Sequence, residues 1–494
     1  MQFISTRNVN DKVSFSEALV KGIASGGGLF VPESYPETSL SDLTEMLDMS
    51  YEERAVKILS FFAEDFEKEE LVLSVKSAYS RFDGDPAPVV KLDDGLYILE
   101  LFHGPTLAFK DIALTLFPQL LSVARKKLGV KEDTLILVAT SGDTGKAALE
   151  GFKDVEGTKI VVFYPSDGVS NLQKLQMSTQ SGDNVYVAAI KGNFDNCQSG
   201  VKEIFADEDF ARKCLEKGVA LSSANSINLG RLLPQVVYYF SAYLDLVSSD
   251  EIAMGDKVDF AVPTGNFGDI LAGWYAYKMG LPINKLVCAS NSNNVLTDFF
   301  TSGKYDKNRK FYKTISPSMD ILISSNLERL LFEVSGRDDK YIASIMEELK
   351  TKGTFEISRE MLDKMTDVIY AGMSTEDDTK RTIAMFFDEY AYPLDPHTAV
   401  GVYVSDNYSV EENDLSPMIV LSTASPYKFT ESVITALGKK TSGDSFKDAK
   451  TLQKLSAEDI PEAISKLKEE DVRFKDVFEV SEMRKAILNF IANA

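Results

Sequence analysis

Residues 99–111, LELFHGPTLAFKD, join an apolar strand to a predicted helix through a Gly-Pro turn. The turn sets Lys110 just inside the helix, next to Phe109 and close to Ile112. Burial among apolar side chains and the positive potential of a helix N-terminus both lower the pKa of a lysine amine. An amine with a lowered pKa is a nucleophile that forms Schiff bases. A single lysine at a helix end is more often a surface residue whose stem covers apolar groups, so this interpretation depends on other motifs in the chain.

Two glycine loops supply such motifs, and each follows a β-branched strand pattern and precedes a helix pattern. The first is the SGDTG loop, Ser141–Gly145, and the second is the GNFGD loop, Gly265–Asp269. Glycines let a backbone turn sharply and direct its N–H groups at a ligand, and the dipole of the following helix favours negative charge there. One such loop is usually an ordinary turn between a strand and a helix. Two of them, together with Lys110, predict a phosphorylated cofactor and an anionic substrate.

The composition narrows the class of protein. The chain has 494 residues, of which 44% are hydrophobic, enough for two or three domains with separate cores. Its net charge of −22 argues against a nucleic-acid partner, because phosphate backbones bind basic surfaces. The first residues lack an apolar signal core and no later run has membrane-spanning length, so we expect a cytoplasmic protein without a membrane partner.

Cysteine and histidine are too sparse for several kinds of site. The three cysteines, Cys197, Cys214 and Cys288, are far apart, which fits buried thiols better than a disulfide framework or a zinc site. With two histidines, His103 and His397, a Ser-His triad or a histidine-rich metal centre has few candidates, and we predict no metal. We expect His103 to order its own turn and His397 to make a structural or oligomer contact.

One further segment, Gly142–Ala147, superficially resembles a nucleotide-binding P-loop. Its glycines are too closely spaced, and Ala147 lacks the hydroxyl group that would bind magnesium. We therefore expect no ATP hydrolysis at this loop.

The order of strand and helix patterns predicts an α/β fold with mainly parallel sheets. Candidate strands lie at residues 97–102, 135–140, 159–164, 185–190, 220–223, 258–262 and 286–289. Three domains are predicted: a mostly helical N-terminal cap at 1–88, a smaller β/α domain with the lysine segment at 89–255, and a large β/α domain with helical insertions and C-terminal helices at 256–494. Ligands of such sheets bind at the carboxyl ends of the strands, where Lys110 and both glycine loops fall.

Six stretches together resemble one known family. They are Gly26–Pro32 (GGGLFVP), residues 99–111, the SGDTG loop, Pro263–Asp269, Asp395–Gly401 (DPHTAVG) and Leu421–Pro426 (LSTASP). In this order, spread over nearly the whole chain, they resemble the threonine synthase family, which consists of pyridoxal-phosphate enzymes of fold type II. Members often have a histidine where this chain has Ser425. The resemblance implies the fold-type II architecture, with a cofactor-binding large domain.

The resemblance also implies roles for individual residues. Lys110 is implied as the lysine that forms the Schiff base with pyridoxal 5′-phosphate, with Phe109 as a further cofactor contact. The cofactor phosphate is implied to bind Gly265, Asn266, Phe267, Gly268 and Asp269, and the pyridine nitrogen to bond Thr423. The substrate is implied to bind Ser141, Gly142, Asp143, Thr144 and Gly145.

The reaction implied by the resemblance is the last step of threonine biosynthesis, in which O-phospho-L-homoserine and water give L-threonine and phosphate. A phospho-lyase on the same scaffold would release 2-oxobutyrate, ammonia and phosphate, and the motifs do not exclude it. A non-catalytic cofactor-binding regulator is a more remote alternative, because Lys110, both loops and Thr423 are intact. We expect a monomer or a homodimer.

Overall fold

The N-terminal part of the chain combines four helices with a small sheet. The structure, a computed structural model, describes residues 1–140, 142–167 and 169–493. The first elements are β1 (Phe3–Ser5), β2 (Asn8–Val13), α1 (Phe15–Lys21), β3 (Phe30–Pro32), α2 (Leu40–Glu45), α3 (Tyr51–Ser60) and α4 (Lys68–Tyr79). Strand β1 pairs antiparallel with both β2 and β3. The sequence pattern predicted the helices of this cap but not its sheet, because β1 and β3 have only three residues each and the six residues of β2 (NVNDKV) are mostly polar.

Strands and helices alternate in the middle of the chain. The elements are β4 (Val89–Asp93), β5 (Leu96–Glu100), α5 (Lys110–Lys127), β6 (Asp133–Ala139), α6 (Asp143–Phe152), β7 (Thr158–Pro165), α7 (Asn171–Ser178), β8 (Val185–Ile190), α8 (Phe194–Ala206), α9 (Glu208–Leu215), β9 (Val219–Ser222) and α10 (Leu229–Ser248). Helix α10 is buried along nearly its whole length, which explains why its sequence is apolar on all sides.

The remaining residues continue the alternation and end in short helices. The elements are β10 (Val258–Pro263), α11 (Gly268–Lys278), β11 (Ile283–Ser290), α12 (Val295–Ser302), β12 (Lys304–Asp306), α13 (Leu327–Val334), α14 (Asp339–Thr351), β13 (Thr354–Glu356), α15 (Arg359–Thr366), β14 (Ile369–Met373), α16 (Glu376–Tyr390), α17 (Pro396–Glu412), β15 (Met418–Ser422), α18 (Thr430–Ala436), α19 (Ser445–Ser456), α20 (Glu462–Ser465), β16 (Val477–Phe478) and α21 (Met483–Asn493).

Two mainly parallel sheets form the framework, as the sequence predicted. The larger has the strand order β14-β11-β10-β15-β5-β4, in which only the β4–β5 pair is antiparallel. The smaller has the order β16-β8-β7-β6-β9 and is parallel throughout. All seven strands proposed from the sequence are present, and the fold is therefore an α/β fold with two parallel sheets.

The sheets divide the chain differently from the predicted domain limits at two places. Strands β4 and β5 belong to the larger sheet, because β5 pairs in parallel with β15. At the other end of the chain, β16 pairs with β8 at the edge of the smaller sheet. Helix α21 follows it there and buries Met483 and Ile487 in the core of the smaller sheet. The C-terminal segment thus crosses back from the large domain.

Two general expectations can be compared with the structure here. All three cysteines are buried and carry free thiols. Within the described part of the chain, no helix combines the length and the apolar character needed to cross a membrane.

Candidate active site

Four segments converge where the parallel strands end. Strand β5 leads to Lys110, β6 leads to the SGDTG loop, and β10 leads to the GNFGD loop. Strand β15, the neighbour of β5, leads to Thr423. The lysine and threonine segments are joined directly, because the N–H group of Phe109 donates to the Thr423 carbonyl oxygen at 2.9 Å. The structure therefore brings together the segments that the sequence singled out.

The amine of Lys110 is buried among charged side chains, some of which raise its pKa and some of which lower it. Its Nζ donates to Ser318 Oγ at 3.1 Å and lies 5.5 Å from the centre of the Phe109 ring. Burial lowers the pKa of the Lys110 amine to about 8, and this effect outweighs the opposing attraction of the Asp143 carboxylate. An amine with such a pKa is in part unprotonated near neutral pH and is able to act as nucleophile and base.

Two residues of the candidate site have a strained backbone conformation. Leu107 and Phe267 both have a left-handed φ of 62°, although neither is glycine. Leu107 lies three residues before Lys110, and Phe267 lies in the middle of the GNFGD loop. Non-glycine residues in this conformation cost free energy and are concentrated at functional sites.

The GNFGD loop presents unpaired backbone donors. Among the described residues, none accepts a hydrogen bond from the backbone N–H groups of residues 265–269. The loop carbonyls, in contrast, are engaged: Ser324 Oγ donates to the Gly265 oxygen at 2.8 Å, and the Asn326 N–H group donates to the Asn266 oxygen at 3.1 Å. Helix α11 begins at Gly268, so its dipole points at the same place. The loop is a candidate cradle for a phosphate group.

Asp269 contributes only its backbone to this cradle. Its carboxyl group accepts hydrogen bonds from the hydroxyl groups of Tyr238 and Tyr239. Burial raises the pKa of Asp269 to about 7, although both tyrosines oppose the shift. A carboxyl group with this pKa is largely protonated below neutral pH and then adds no negative charge beside a bound phosphate.

The SGDTG loop is organised around side chains. Ser141 lies outside the described residues. Thr140 Oγ1 accepts hydrogen bonds from the N–H groups of Gly142 and Gly145, both at 3.0 Å. The Asp143 carboxylate lies 2.9 Å from Lys428 Nζ and accepts a hydrogen bond from Ser318 Oγ at 3.3 Å. Thr144 is partly exposed in the first turn of α6.

The ionisation of Asp143 follows from its buried ion pair. Burial alone would raise its pKa, but the Lys428 and Lys110 ammonium groups outweigh burial and hold the pKa of Asp143 well below its usual range. Both partners of the pair are almost completely buried, and Lys428 Nζ also donates to the Thr106 carbonyl oxygen at 2.7 Å. Asp143 is thus a fixed negative charge that joins the smaller sheet to the larger domain.

Arg231, which the motif analysis missed, is a buried cation that has no acidic partner within residues 1–140, 142–167 and 169–493. It lies in the first turn of α10, and its Nη1 donates to the Ala224 carbonyl oxygen at 2.7 Å. Its Nε is buried and has no hydrogen-bond partner among the described residues. Burial lowers the pKa of the Arg231 guanidinium to about 10. Its charge is close enough to lower the pKa of Lys110, and buried cations are normally paired, so an anionic ligand is expected here.

His397 holds the segment that contains Ser318, the hydrogen-bond partner of Lys110. Its Nε2 accepts a hydrogen bond from the Ser318 N–H group at 3.2 Å, and its Nδ1 bonds Asp395 at 2.7 Å. The ring is buried and packs edge-on against Phe429. These contacts are structural, as expected, and the buried ring is not part of a surface contact.

His103 and Ser425 have local partners. His103 Nε2 bonds Glu100 at 2.7 Å, and its ring stacks on Phe102. The Ser425 hydroxyl accepts from the Tyr427 N–H group at 3.3 Å and caps a short 3-10 helix. The Ser425 N–H group donates to the Leu107 carbonyl oxygen at 3.1 Å, which helps to fix the turn before the lysine.

A partly buried lysine amine, a loop of backbone donors and an arginine without an acidic partner in the described part of the chain form a candidate active site of the kind that pyridoxal-phosphate enzymes have. Family profiles described as "Threonine synthase N terminus" and "Threonine synthase, C-terminal" match residues 2–79 and 398–487. The chain is 40% identical to threonine synthase of Pseudomonas aeruginosa over 436 residues, covering 88% of this chain and 90% of that protein. The chain belongs to the threonine synthase family.

Another relative and two solved structures support the same family assignment. Human threonine synthase-like 1 is 42% identical over 455 residues, which cover 88% of this chain but only 60% of the human protein. A crystal structure of PLP-bound threonine synthase from Brucella melitensis has a TM-score of 0.90 and 38% identity, covering 100% of this chain and 99% of that one. The yeast threonine synthase structure has a TM-score of 0.90 and 34% identity, with coverage of 100% and 99%.

Proposed function

We propose that this protein converts O-phospho-L-homoserine and water into L-threonine and phosphate, using pyridoxal 5′-phosphate. The observation that carries the proposal is the Lys110 amine, with a pKa lowered to about 8, in one site with the GNFGD loop and Arg231. Neither the loop N–H groups nor the Arg231 Nε has an acceptor in the described part of the chain. Two anion sites suit a phosphorylated cofactor and a phosphorylated substrate. Family membership supports the same activity.

The residues present fit the cofactor. The backbone N–H groups of the GNFGD loop would hold its phosphate, and Lys110 would bind its aldehyde carbon. The buried hydroxyl of Thr423 would bond the pyridine nitrogen. A hydroxyl group is neutral and does not enforce a protonated ring, in contrast to a carboxylate. When bound, pyridoxal phosphate supplies an electron sink for the carbon chain of the substrate.

The structure offers one cation, Arg231, and one helix terminus to the anionic groups of the substrate. Arg231 would pair with one anionic group, which would satisfy its unpartnered Nε. The first turn of α6, with Thr144, would bind the other anionic group through its helix N-terminus. The Asp143 carboxylate is already neutralised by Lys428, so it does not repel the substrate as a free carboxylate would.

The amine of Lys110 would carry the protons. The reaction breaks the Cγ–O bond of the substrate, releases phosphate, and places the oxygen of water on Cβ and a proton on Cγ. The Lys110 amine, when it is not bonded to the cofactor, would take and return protons at the substrate atoms Cα, Cβ and Cγ, which suits a group with a pKa of about 8. Ser318 Oγ, an acceptor for Nζ, would orient the amine during these transfers.

A product assay tests the proposal. The cofactor-loaded protein is incubated with O-phosphohomoserine in oxygen-18 water, and threonine, 2-oxobutyrate and phosphate are quantified. We expect threonine and phosphate in equal amounts, with the label in the threonine hydroxyl. Lys110→Ala should abolish both products, and Lys447→Ala, at an exposed lysine, serves as the matched control.

Other outcomes have defined meanings. Mostly 2-oxobutyrate from the unmodified protein would replace the synthase with a phospho-lyase, and cofactor binding without turnover would indicate a regulator. We further propose that the enzyme acts in the cytoplasm as a monomer or a homodimer. Light scattering on the purified protein would distinguish these two states.

A further inference from the structure

A short segment behind the GNFGD loop fixes the direction of its peptide groups. We call residues 324–329 (SSNLER) the support turn. Ser324 Oγ donates to the Gly265 oxygen at 2.8 Å, and Asn326 donates twice to the Asn266 oxygen, from its N–H group and from Nδ2, each at 3.1 Å. In a planar trans peptide the N–H group points opposite to the carbonyl. Holding these two oxygens therefore turns the N–H groups of Asn266 and Phe267 away from the support turn.

Arg329 holds Asn326 in the orientation that this requires. Its guanidinium group donates from Nη1 to Asn326 Oδ1, which leaves Nδ2 as the end of the amide that faces the loop. The Arg329 side chain is fully buried, and each of its hydrogen-bond partners among the described residues is a carbonyl oxygen. Burial lowers the pKa of Arg329. A buried guanidinium without a carboxylate is costly, which points to a role other than simple stabilisation.

The same guanidinium also bonds the segment before Arg231 and a strand of the N-terminal cap. Its Nη2 donates to the Ile227 oxygen at 2.6 Å, in the segment that leads to Arg231. Its Nε donates to the Phe30 oxygen of β3 at 2.9 Å. The neighbouring Glu328 accepts hydrogen bonds from Thr6 Oγ1 at 2.6 Å and from Arg7 Nη2 at 2.7 Å. The support turn thus joins the GNFGD loop, the Arg231 segment and the cap.

We propose that Asn326 and Arg329 are positioning residues that set the affinity of the GNFGD loop for the cofactor phosphate. The inference rests on the proposed function, because it takes pyridoxal phosphate as the ligand of the loop. Neither side chain is assigned a contact with the cofactor. They act by keeping the loop N–H groups pre-oriented, so that the phosphate is bound without a cost for reordering the backbone.

The test compares two ligands that differ only in the phosphate. Dissociation constants of pyridoxal 5′-phosphate and of pyridoxal are measured on the protein stripped of cofactor, by absorbance, for the unmodified chain and for Asn326→Ala, Arg329→Lys and Arg329→Met. In the unmodified chain we expect pyridoxal phosphate to bind at least 100-fold more tightly. Asn326→Ala and Arg329→Met should reduce this preference about 10-fold or more while leaving the pyridoxal constant unchanged, because Lys110 is intact.

Two controls separate positioning from general destabilisation. A purely structural role would weaken both ligands alike and leave their ratio unchanged, which would overturn the inference. Arg359→Met, at an exposed arginine, and Asn489→Ala, at an exposed asparagine, should change neither constant. Where Arg329→Met yields no folded protein by circular dichroism, Asn326→Ala decides the outcome, because it removes one side chain and no buried charge.

Failure of the inference and failure of the proposed function give different results. If the unmodified chain binds pyridoxal as tightly as pyridoxal phosphate, the GNFGD loop is not a phosphate site and the cofactor assignment is wrong. If the unmodified chain prefers pyridoxal phosphate and the Asn326→Ala variant retains the full preference, the cofactor assignment stands and the support turn has no positioning role.

Discussion

The two glycine loops follow the same local pattern but treat their aspartates in opposite ways. In each, a strand ends, glycines turn the chain, and an aspartate sits in the first turn of the following helix. Asp143 of the SGDTG loop is held charged by Lys428, whereas Asp269 of the GNFGD loop lies against two tyrosines and has a pKa raised to about 7. The SGDTG loop is therefore organised around side-chain charges, and the GNFGD loop around its backbone donors.

The backbone hydrogen bonds make the same distinction. Thr140 occupies the N–H groups of Gly142 and Gly145, so the SGDTG loop is held together from inside. The GNFGD loop has its carbonyls held from outside by the support turn, and its N–H groups have no acceptor in the described chain. A phosphate group fits the second arrangement, since it accepts many hydrogen bonds and is repelled by carboxylates.

The largest expected effect is on stability, from breaking the ion pair of the SGDTG loop. Lys428→Met would remove the direct ion-pair partner of Asp143, whose side chain is only 5% exposed, and leave Lys110 as the nearby cation that still favours the carboxylate. Removal of one partner of a buried ion pair costs about 3–5 kcal/mol, because the remaining charge stays desolvated. We expect a loss of this size in the free energy of unfolding, measured by urea denaturation.

Two variants check this interpretation. The double variant Asp143→Asn/Lys428→Met should recover much of the loss, because no unpaired charge remains. Lys191→Met, which removes the exposed pair with Glu479, should cost far less. A Lys428→Met protein as stable as the unmodified chain would contradict a buried, charged Asp143.

The next effect concerns Lys110, which lies between the two loops. Its pKa of about 8 predicts that its reactivity with acetic anhydride in the cofactor-free protein rises through about pH 8, far below the midpoint of an ordinary lysine. The Asp143 carboxylate raises this pKa, so Asp143→Asn should move the midpoint lower, whereas Asn266→Ala should leave it unchanged. Peptide mass spectrometry gives the midpoint, with the exposed Lys447 as reference. A shift caused by Asn266→Ala instead would reverse the electrostatic roles of the loops.

Much of the framework could be predicted from local sequence. Strands of a parallel sheet are covered on both faces, so they form short β-branched runs such as residues 135–138, and these were recognised. Strand β15, five buried residues in the middle of the larger sheet, was not identified as a strand, because a short apolar run is equally compatible with a helix. Its place beside β5 depends on contacts between residues more than 300 positions apart, which no local pattern contains.

For the site, local chemistry was informative and long-range pairing was not. Lys110 and the two loops are turn motifs, and each is recognisable within a few residues. Lys428, Ser318 and Arg231 look like ordinary polar residues in the sequence, and they matter only because the fold places them near Asp143 and Lys110.

A smaller effect shows which loop binds the cofactor and which binds the substrate. A Cβ at Gly265 would lie 2.8 Å from the Ser318 carbonyl oxygen, so Gly265→Val should displace the GNFGD loop and weaken pyridoxal-phosphate binding about 10- to 100-fold. Thr144→Ala should leave that binding unchanged and raise KM for O-phosphohomoserine, because it alters the other loop. Spectroscopic titration and steady-state kinetics measure the two effects. Loss of cofactor from the Thr144→Ala protein with full retention by Gly265→Val would exchange the two assignments.

The smallest effect tests whether Asp269 of the GNFGD loop is protonated in the folded protein. Burial raises the pKa of Asp269 from 3.8 to about 7, so the folded protein binds its proton more tightly than the unfolded chain does. A raised pKa stabilises the fold at low pH, and the contribution declines as the pH rises from about 4 and is lost once the pH passes about 7. Between pH 6 and pH 8 the loss is about 1 kcal/mol, because the slope of stability against pH acts over roughly one pH unit before the folded pKa is reached. The Asp269→Asn side chain is neutral at every pH, so this variant should lack this part of the pH dependence. The free energy of unfolding of the cofactor-free unmodified chain, relative to that of the cofactor-free variant, should therefore fall by this amount between pH 6 and pH 8. A constant difference would mean that Asp269 is charged in the folded protein at pH 6, and the contrast with Asp143 would then disappear.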